Sequence, residues 1–394
     1  MICVVIKPLT GNYAVAWAVK LGRVRVVSAY PITPQTTIVE KISEFVEKGE
    51  MDARIIRVES EHSALAAVYG AASGGVRAFT ATSSHGLMYM SEMLWWVAGA
   101  RVPLVMAIVT RTMGPPWNIW TDHSDFLSQR DTGWLMMFAE HNQEVLDSII
   151  QLFKITEDPR VFLPGMVALD AFILSHTTEP VDIPGQSLVD SFLPERRQPY
   201  VFRAGEPITM GNIPSNLKEH MKMRWDIHKS LEAAKKVIAE VDQEWSKLTG
   251  RSYGGLIDCY RCSDAKYFIV GAGAWVGDMR EATELLRSEG YEVGLIKMRY
   301  VRPFPSEELA SVLRNAKGVV VFDRAVSPGS AGPMYLDVVT HLTEQNVRVP
   351  IKNVLAGLAG VDVTYEDIAG IVKSFINELE SKGAISRYIE WYFG

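Results

Sequence analysis

Cysteine is scarce: three occur in 394 residues, at Cys3, Cys259 and Cys262. So few thiols exclude a disulfide-built scaffold and fit a reducing compartment. They also fall short of the four thiolates that hold an iron–sulfur cluster. Cys259-Tyr-Arg-Cys262 has no matching second half, so no zinc site is read from it. Long apolar runs are missing as well. The longest, Val102–Val109, is far too short for a membrane span. The chain lacks a basic stripe and carries a net charge of −6, which argues against nucleic acid as a partner. The opening Met1-Ile-Cys-Val-Val-Ile has neither a basic n-region nor a cleavage pattern. It reads as a first strand, and the expected location is cytoplasmic.

What is present is a globular chain too long for one ordinary core, so two domains are expected. The first ~170 residues alternate strand and helix patterns, as in a doubly wound parallel sheet. Strands are expected at 23–29, 54–58, 77–82, 102–110 and 161–171. Helices are expected at 35–47, 61–72, 88–98 and 142–156. Residues 111–133 form a long loop, and 178–216, Pro-rich and without periodicity, reads as an ordered connector. Leu217–Leu248 is an amphipathic helical stretch. After Gly254-Gly255 the βα pattern restarts, with strands at 267–270, 293–298 and 318–322 and helices at 279–288 and 306–315. The domain boundary is expected near 250–262.

Two runs carry the chemistry. Ser28-Ala-Tyr-Pro-Ile-Thr-Pro-Gln-Thr-Thr37 and Val58-Glu-Ser-Glu-His-Ser63 each follow a strand and open a helix. In a parallel sheet, ligands gather past the carboxyl ends of strands. Thr33, Glu61, Ser83/Ser84 and Arg111 each follow a strand directly, so one sheet edge would collect all four. Arg111 can grip a carboxylate with two hydrogen bonds. Thr33 can donate to a carbonyl or carboxylate oxygen. Glu61, in a first helical turn, is favoured as the anion. Each also has a plain structural reading, with Ser60 a helix cap, Glu61 a surface acid and Arg111 a loop residue. The coincidence of four favours a site. The Trp- and Pro-containing loop from Arg111 suits a lid that excludes water. Asp122, His123 and Asp125 within it are read as caps of backbone groups rather than a metal cluster.

Gly271-Ala-Gly-Ala-Trp-Val-Gly277 resembles a dinucleotide turn, but its third Gly is one place late. The following strand ends in Lys297 and Arg299, with no acid for a ribose. A plain tight βα turn is the better reading of this stretch, and an NAD(P)-binding oxidoreductase that sets these cations on a 2′-phosphate is kept as the second hypothesis for function. A non-catalytic scaffold is the third.

With these residues laid out, the chain resembles the α subunit of a 2-oxoacid:ferredoxin oxidoreductase. The matching stretches are Ala29-Tyr-Pro-Ile-Thr-Pro-Gln35, Val58-Glu-Ser-Glu-His-Ser-Ala64, Phe79-Thr-Ala-Thr-Ser-Ser84, Ser128-Gln-Arg-Asp-Thr-Gly-Trp134, Ala171-Phe-Ile-Leu-Ser-His176, Arg302-Pro-Phe-Pro305 and Val321-Phe-Asp-Arg324. The resemblance implies an α/β fold in two parts. Residues 1–255 would be a pyrimidine-binding thiamine diphosphate domain with a connector and a helical segment. Residues 256–394 would be a transketolase C-terminal-like domain. It implies that Glu61 binds N1′ of the aminopyrimidine, that Thr33 touches the substrate and that Arg111 holds its carboxylate. Tyr30, Pro31, Ser84 and His85 would lie along the cofactor.

The implied reaction is oxidative decarboxylation of a 2-oxoacid to acyl-CoA and carbon dioxide, with electrons passed to iron–sulfur clusters and then to ferredoxin or another acceptor. The acid would be branched-chain or aromatic, such as 2-ketoisovalerate or phenylglyoxylate, or else pyruvate. Two departures stand out. Gly357-Leu-Ala-Gly-Val-Asp362 replaces the family's Gly-Leu-Gly-Gly-Arg-Asp. The Gly-Asp-Gly…Asn motif for diphosphate and Mg²⁺ is missing, so no metal site is expected on this chain. A β subunit would hold diphosphate and Mg²⁺, and γ and ferredoxin-like δ subunits would complete the complex with the clusters. Coenzyme A would enter as co-substrate.

Overall fold

A computed structural model describes residues 5–211 and 213–394. Cys3 and the start of the expected first strand lie outside the described residues. The chain opens with β1 (Val5–Thr10), α1 (Gly11–Leu21), β2 (Val26–Ala29), α2 (Thr36–Glu47), β3 (Arg54–Arg57), α3 (Glu61–Ser73) and β4 (Ala78–Thr82). It continues through α4 (Ser84–Tyr89), α5 (Ser91–Gly99), β5 (Val105–Thr110), α6 (Ser124–Leu127), β6 (Leu135–Phe138), α7 (Asn142–Glu157) and β7 (Gly165–Asp170). Then come β8 (Thr178–Ile183), α8 (Gln186–Phe192) and the long α9 (Leu217–Thr249). The last part holds β9 (Ile257–Tyr260), β10 (Tyr267–Gly271), α10 (Val276–Ser288), β11 (Val293–Met298), β12 (Tyr300–Arg302) and α11 (Ser306–Leu313). It closes with β13 (Gly318–Asp323), α12 (Pro333–Glu344), β14 (Ile351–Leu355), α13 (Tyr365–Lys382) and β15 (Ile389–Trp391).

A seven-stranded sheet runs β12-β6-β7-β5-β4-β2-β3, parallel except for β12. The central strands β4, β5, β6 and β7 are buried along their whole length. That is why they read as continuous apolar runs rather than alternating ones. A six-stranded sheet, β15-β14-β13-β10-β11-β9, is parallel except for β9. Helix α9 ends where Gly250 takes φ 76°, a left-handed C-cap that glycine adopts without Cβ strain.

Several elements differ from expectation. The first strand does not enter the main sheet, because β1 pairs antiparallel with β8 in a separate ribbon. That ribbon and α8 lie within the ordered connector expected at 178–216, where Pro180 and Pro184 hide the strand pattern. α1 was not anticipated, although Thr10 caps it by accepting from Tyr13 N. The helix expected at 88–98 begins earlier and is broken at Met90 into α4 and α5. The loop 111–133 contains the short α6. β6 was overlooked because Leu-Met-Met-Phe shows no alternation once both faces are covered. β12 belongs to the last third of the chain but extends the first sheet.

The two sheets are joined by a buried ionic cluster. Lys297 Nζ lies 2.6 Å from Glu144 Oε2 and 2.9 Å from Glu140 Oε2. Arg299 donates to Glu144 Oε1 at 3.0 Å, Gly255 O at 2.9 Å and Ser148 Oγ at 3.0 Å. Burial alone would raise the Glu144 carboxyl, but the two cations outweigh it and hold it below its ordinary range.

Candidate functional site

β2, β3, β4 and β5 are neighbours in one sheet, so their carboxyl ends share an edge. Glu61 starts α3 there. Its neighbour Ser60 is the N-cap and accepts from Ser63 N at 3.2 Å, so the cap expected of Ser60 is present. Glu61 itself is not a surface acid, with only 8% of it exposed. Gly86, in the first turn of α4, presses against it. A Cβ at Gly86 would lie 2.7 Å from Glu61 Oε1 and 2.4 Å from Thr82 Oγ1. Only glycine leaves room for this approach. Thr82 is fully buried and its hydroxyl has no hydrogen-bond partner among the described residues.

Arg111 follows β5 and is 4% exposed. Its Nη1 donates to the backbone carbonyl of Thr33 at 2.6 Å, so the two residues meet through main chain. Its guanidinium lies 5.7 Å from the centre of the Trp117 ring. Nε is buried and unpaired among the described residues, which leaves a donor edge free for a carboxylate. Burial lowers the Arg111 pKa, with Asp125 opposing.

Asp125 organises the floor of the site. Its Oδ2 accepts from Ser84 N at 2.7 Å and Arg111 N at 3.1 Å, and its Oδ1 from Phe126 N at 2.7 Å. These bonds tie the starts of α4, the loop and α6 to one carboxyl. This is the capping role expected for Asp125. Complete burial pushes its pKa up to about 8, against the pull of the three donors.

The other expected residues are placed differently. The Ser84 hydroxyl donates to Thr112 O, so it fastens the loop; Ser84 also sits at φ 50°, in the left-handed region. His85 is exposed, and its Nε2 accepts from Gly114 N at 3.2 Å. Tyr30 and Thr33 are exposed. Pro31 lines an open cleft of about 540 Å³ with Ala29, Thr36 and Arg57. Sequence reasoning missed Thr82, Gly86 and Gln35. Gln35 is fully buried with neither amide atom partnered among the described residues. The Gly after Ser-Ser-His was the one available signal for Gly86.

The loop 111–123 is anchored at both ends and to the second sheet. Thr112 N donates to Trp120 O at 3.1 Å, and Asn118 Nδ2 to Ala359 O at 3.2 Å. His123 Nε2 meets Asp170 Oδ1 at 2.9 Å, and Arg324 Nη1 meets Asp170 Oδ2 at 3.2 Å. The Gly271–Gly277 turn packs on this group. A Cβ at Gly273 would touch Asp170 Oδ1 at 2.9 Å and His123 at 3.1 Å. The mouth of the turn is therefore filled by side chains, and Lys297 and Arg299 are committed to Glu144. This geometry overturns the NAD(P) reading.

A buried carboxylate beside a glycine notch has the chemistry to hold the ring nitrogen of an aminopyrimidine such as that of thiamine diphosphate. Among the described residues no helix is long and apolar enough to cross a membrane. Nor is any group of three or more His, Cys, Asp or Glu gathered to hold a metal ion.

Residues 17–243 match the family model described as pyruvate flavodoxin/ferredoxin oxidoreductase, thiamine diphosphate-binding. Residues 265–368 match pyruvate:ferredoxin oxidoreductase core domain II. The ketoisovalerate oxidoreductase subunit VorA of Pyrococcus abyssi is 46% identical over 98% of this chain and 97% of its own. The pyruvate synthase subunit PorA of Pyrococcus horikoshii is 44% identical over 97% and 96%. A 2-oxoglutarate:ferredoxin oxidoreductase from Magnetococcus marinus superposes with TM-score 0.72 at 20% identity, over 95% of this chain and 65% of that one. A split-gene transketolase superposes with TM-score 0.53 at 12% identity, over 94% and 99%. At these identities the two structures speak for the fold alone.

Proposed function

The chain belongs to the α-subunit family of the 2-oxoacid:ferredoxin oxidoreductases, and from that premise we propose that it forms the pyrimidine half of a thiamine diphosphate site in a multi-subunit, CoA-acylating 2-oxoacid oxidoreductase. The observation that carries the assignment is the buried Glu61 carboxylate at the start of α3, under Gly86 and on the same sheet edge as Arg111. When bound, thiamine diphosphate supplies the carbon nucleophile for the 2-oxo group and the electron sink for decarboxylation. Glu61 holds the proton shared with ring atom N1′. Arg111 turns its free Nε edge to the substrate carboxylate, while Nη1 stays on Thr33 O. The Thr33 hydroxyl donates to a substrate oxygen. The loop 111–123 keeps water from the reacting carbon.

The missing Gly-Asp-Gly…Asn motif supports a β subunit that completes the site with diphosphate and Mg²⁺. The shortage of cysteine supports γ and δ subunits as carriers of the iron–sulfur clusters, and ferredoxin as the acceptor. A branched-chain 2-oxoacid is proposed ahead of pyruvate, supported by the VorA relative at 46% against the PorA relative at 44% and by Trp117 beside Arg111. We place the two domains at 1–255 and 256–394, with β12 reaching back into the first sheet.

The decisive experiment is C2-proton exchange of thiamine diphosphate in the assembled complex carrying Glu61→Gln. An amide cannot accept the N1′ proton as a carboxylate does, and the exchange rate should fall by about 10²–10⁴-fold. An unchanged rate would remove Glu61 from the mechanism and favour a scaffold subunit.

A further inference from the structure

Cys259 and Cys262 are not absorbed by the functional site. Cys259 lies on β9, opposite Ile296 of β11, and is exposed. Cys262 follows the strand and is half-buried, with its Sγ 3.4 Å from Leu295 O. Between them Arg261 sits at φ 56°, in the left-handed region. A non-glycine residue adopts this conformation at a steric cost, and here it curls the chain back on itself. The turn is pressed against β11 at Gly294, where a Cβ would meet Ala265 Cβ at 2.9 Å and Arg261 O at 3.0 Å. The side chain of Arg261 is also fixed, donating to Glu284 Oε1 at 2.8 Å. In this fixed turn the Cys262 thiol donates to Tyr260 O at 3.7 Å as well as to Leu295 O, which holds it beside β9 three residues on from Cys259.

We propose that Cys259 and Cys262 form a redox-active dithiol that closes to an intrachain disulfide by exchange with a soluble disulfide. The asymmetry assigns the roles. Cys259 is the accessible attacking thiol, and the neighbouring Cys262 thiol lowers its pKa. Cys262, sheltered against β11, is the resolving thiol. In the first step the Cys259 thiolate attacks one sulfur of the external disulfide, forming a mixed disulfide and releasing one thiolate. In the second, Cys262 loses its proton and attacks the Cys259 sulfur, and the second thiol leaves. Two electrons pass from the cysteine pair to the external disulfide. Both protons end on the released thiols.

The test uses the assembled complex, reduced, freed of reductant and equilibrated with glutathione mixtures of rising oxidised fraction. Free thiols are then trapped with iodoacetamide and the chain is digested with trypsin, which cuts after Arg261. The expected result is that Cys259 and Cys262 lose alkylation together. Their two tryptic peptides should be recovered as one joined species that reduction separates. Cys262→Ser should leave glutathione on Cys259. Cys259→Ser should give no joined species and leave Cys262 alkylated. Circular dichroism checks that both variants fold. Persistent alkylation of both thiols in the oxidising mixtures would overturn the proposal. So would glutathione accumulating on Cys259 of the unaltered chain, or cross-linking of two separate chains.

Discussion

Replacing Asp170 by Asn tests how the loop and the two sheets are held together. Asp170 is fully buried at the carboxyl end of β7. It faces His123 at 2.9 Å and Arg324 at 3.2 Å. At an effective dielectric near 20, the Arg324 pair attracts by about 5 kcal/mol. Desolvating both charges offsets much of that, so the intact pair contributes little net stability. Removing one partner is different. Asp170→Asn leaves the Arg324 guanidinium buried with no full counter-charge on β7. Such a change typically costs about 3–5 kcal/mol, roughly a hundredfold to a few thousandfold in the unfolding equilibrium at about 1.4 kcal/mol per decade.

The loss should also depend on pH. Burial by itself would raise the Asp170 carboxyl, but His123 and Arg324 prevail and hold it below its ordinary value. A depressed carboxyl contributes stability above its unfolded pKa of about 3.9, and that contribution disappears as pH falls through the folded value. The gap between parent and variant should therefore be widest near neutrality and close in acid. A chain built on two large sheets need not unfold in one step, so local hydrogen exchange is the sharper assay. The His123 amide donates to Arg324 O at 2.9 Å and should lose protection first. Pairing Asp170→Leu with Arg324→Met should cost less than Asp170→Asn alone, because no charge is then stranded. A single-variant loss below about 1 kcal/mol, or a gap that ignores pH, would refute this reasoning.

Three further outcomes are expected. Arg111→Lys should raise KM for the 2-oxoacid with little effect on cofactor affinity, since an ammonium cannot present a planar fork; losing one charge-assisted bond costs about 1.5–3 kcal/mol, and a parental KM would mean that another cation holds the carboxylate. Gly86→Ala should displace Glu61 by steric contact with its Cβ, so turnover should collapse while circular dichroism stays unchanged; full activity would show that the notch is slack. Trp117→Ala should shift kcat/KM among pyruvate, 2-ketoisovalerate and phenylglyoxylate, because the ring stacks near Arg111, and unaltered ratios would mean that the loop does not select the acid.

Much of this protein was legible in the sequence because its signals are local. Strands β11 and β13, helices α3 and α9, and the Ser60 cap follow from short-range periodicity and capping chemistry. The motifs around Thr33 and Glu61 were legible for the same reason, since each is a strand end followed by a helix start. β6 and β8 were not, because pairing across the sheet or ribbon, rather than local preference, makes them strands. The same holds for β12, which crosses into a sheet built mainly from the first 170 residues. Nothing local to Lys297 or Arg299 shows that Glu144 neutralises them. Nothing near Gly86 shows that Glu61 lies under it, 25 positions back in the chain. Those are contacts between distant segments, and whether a charged or polar side chain meets water, a counter-charge or a ligand is settled only when the chain has folded.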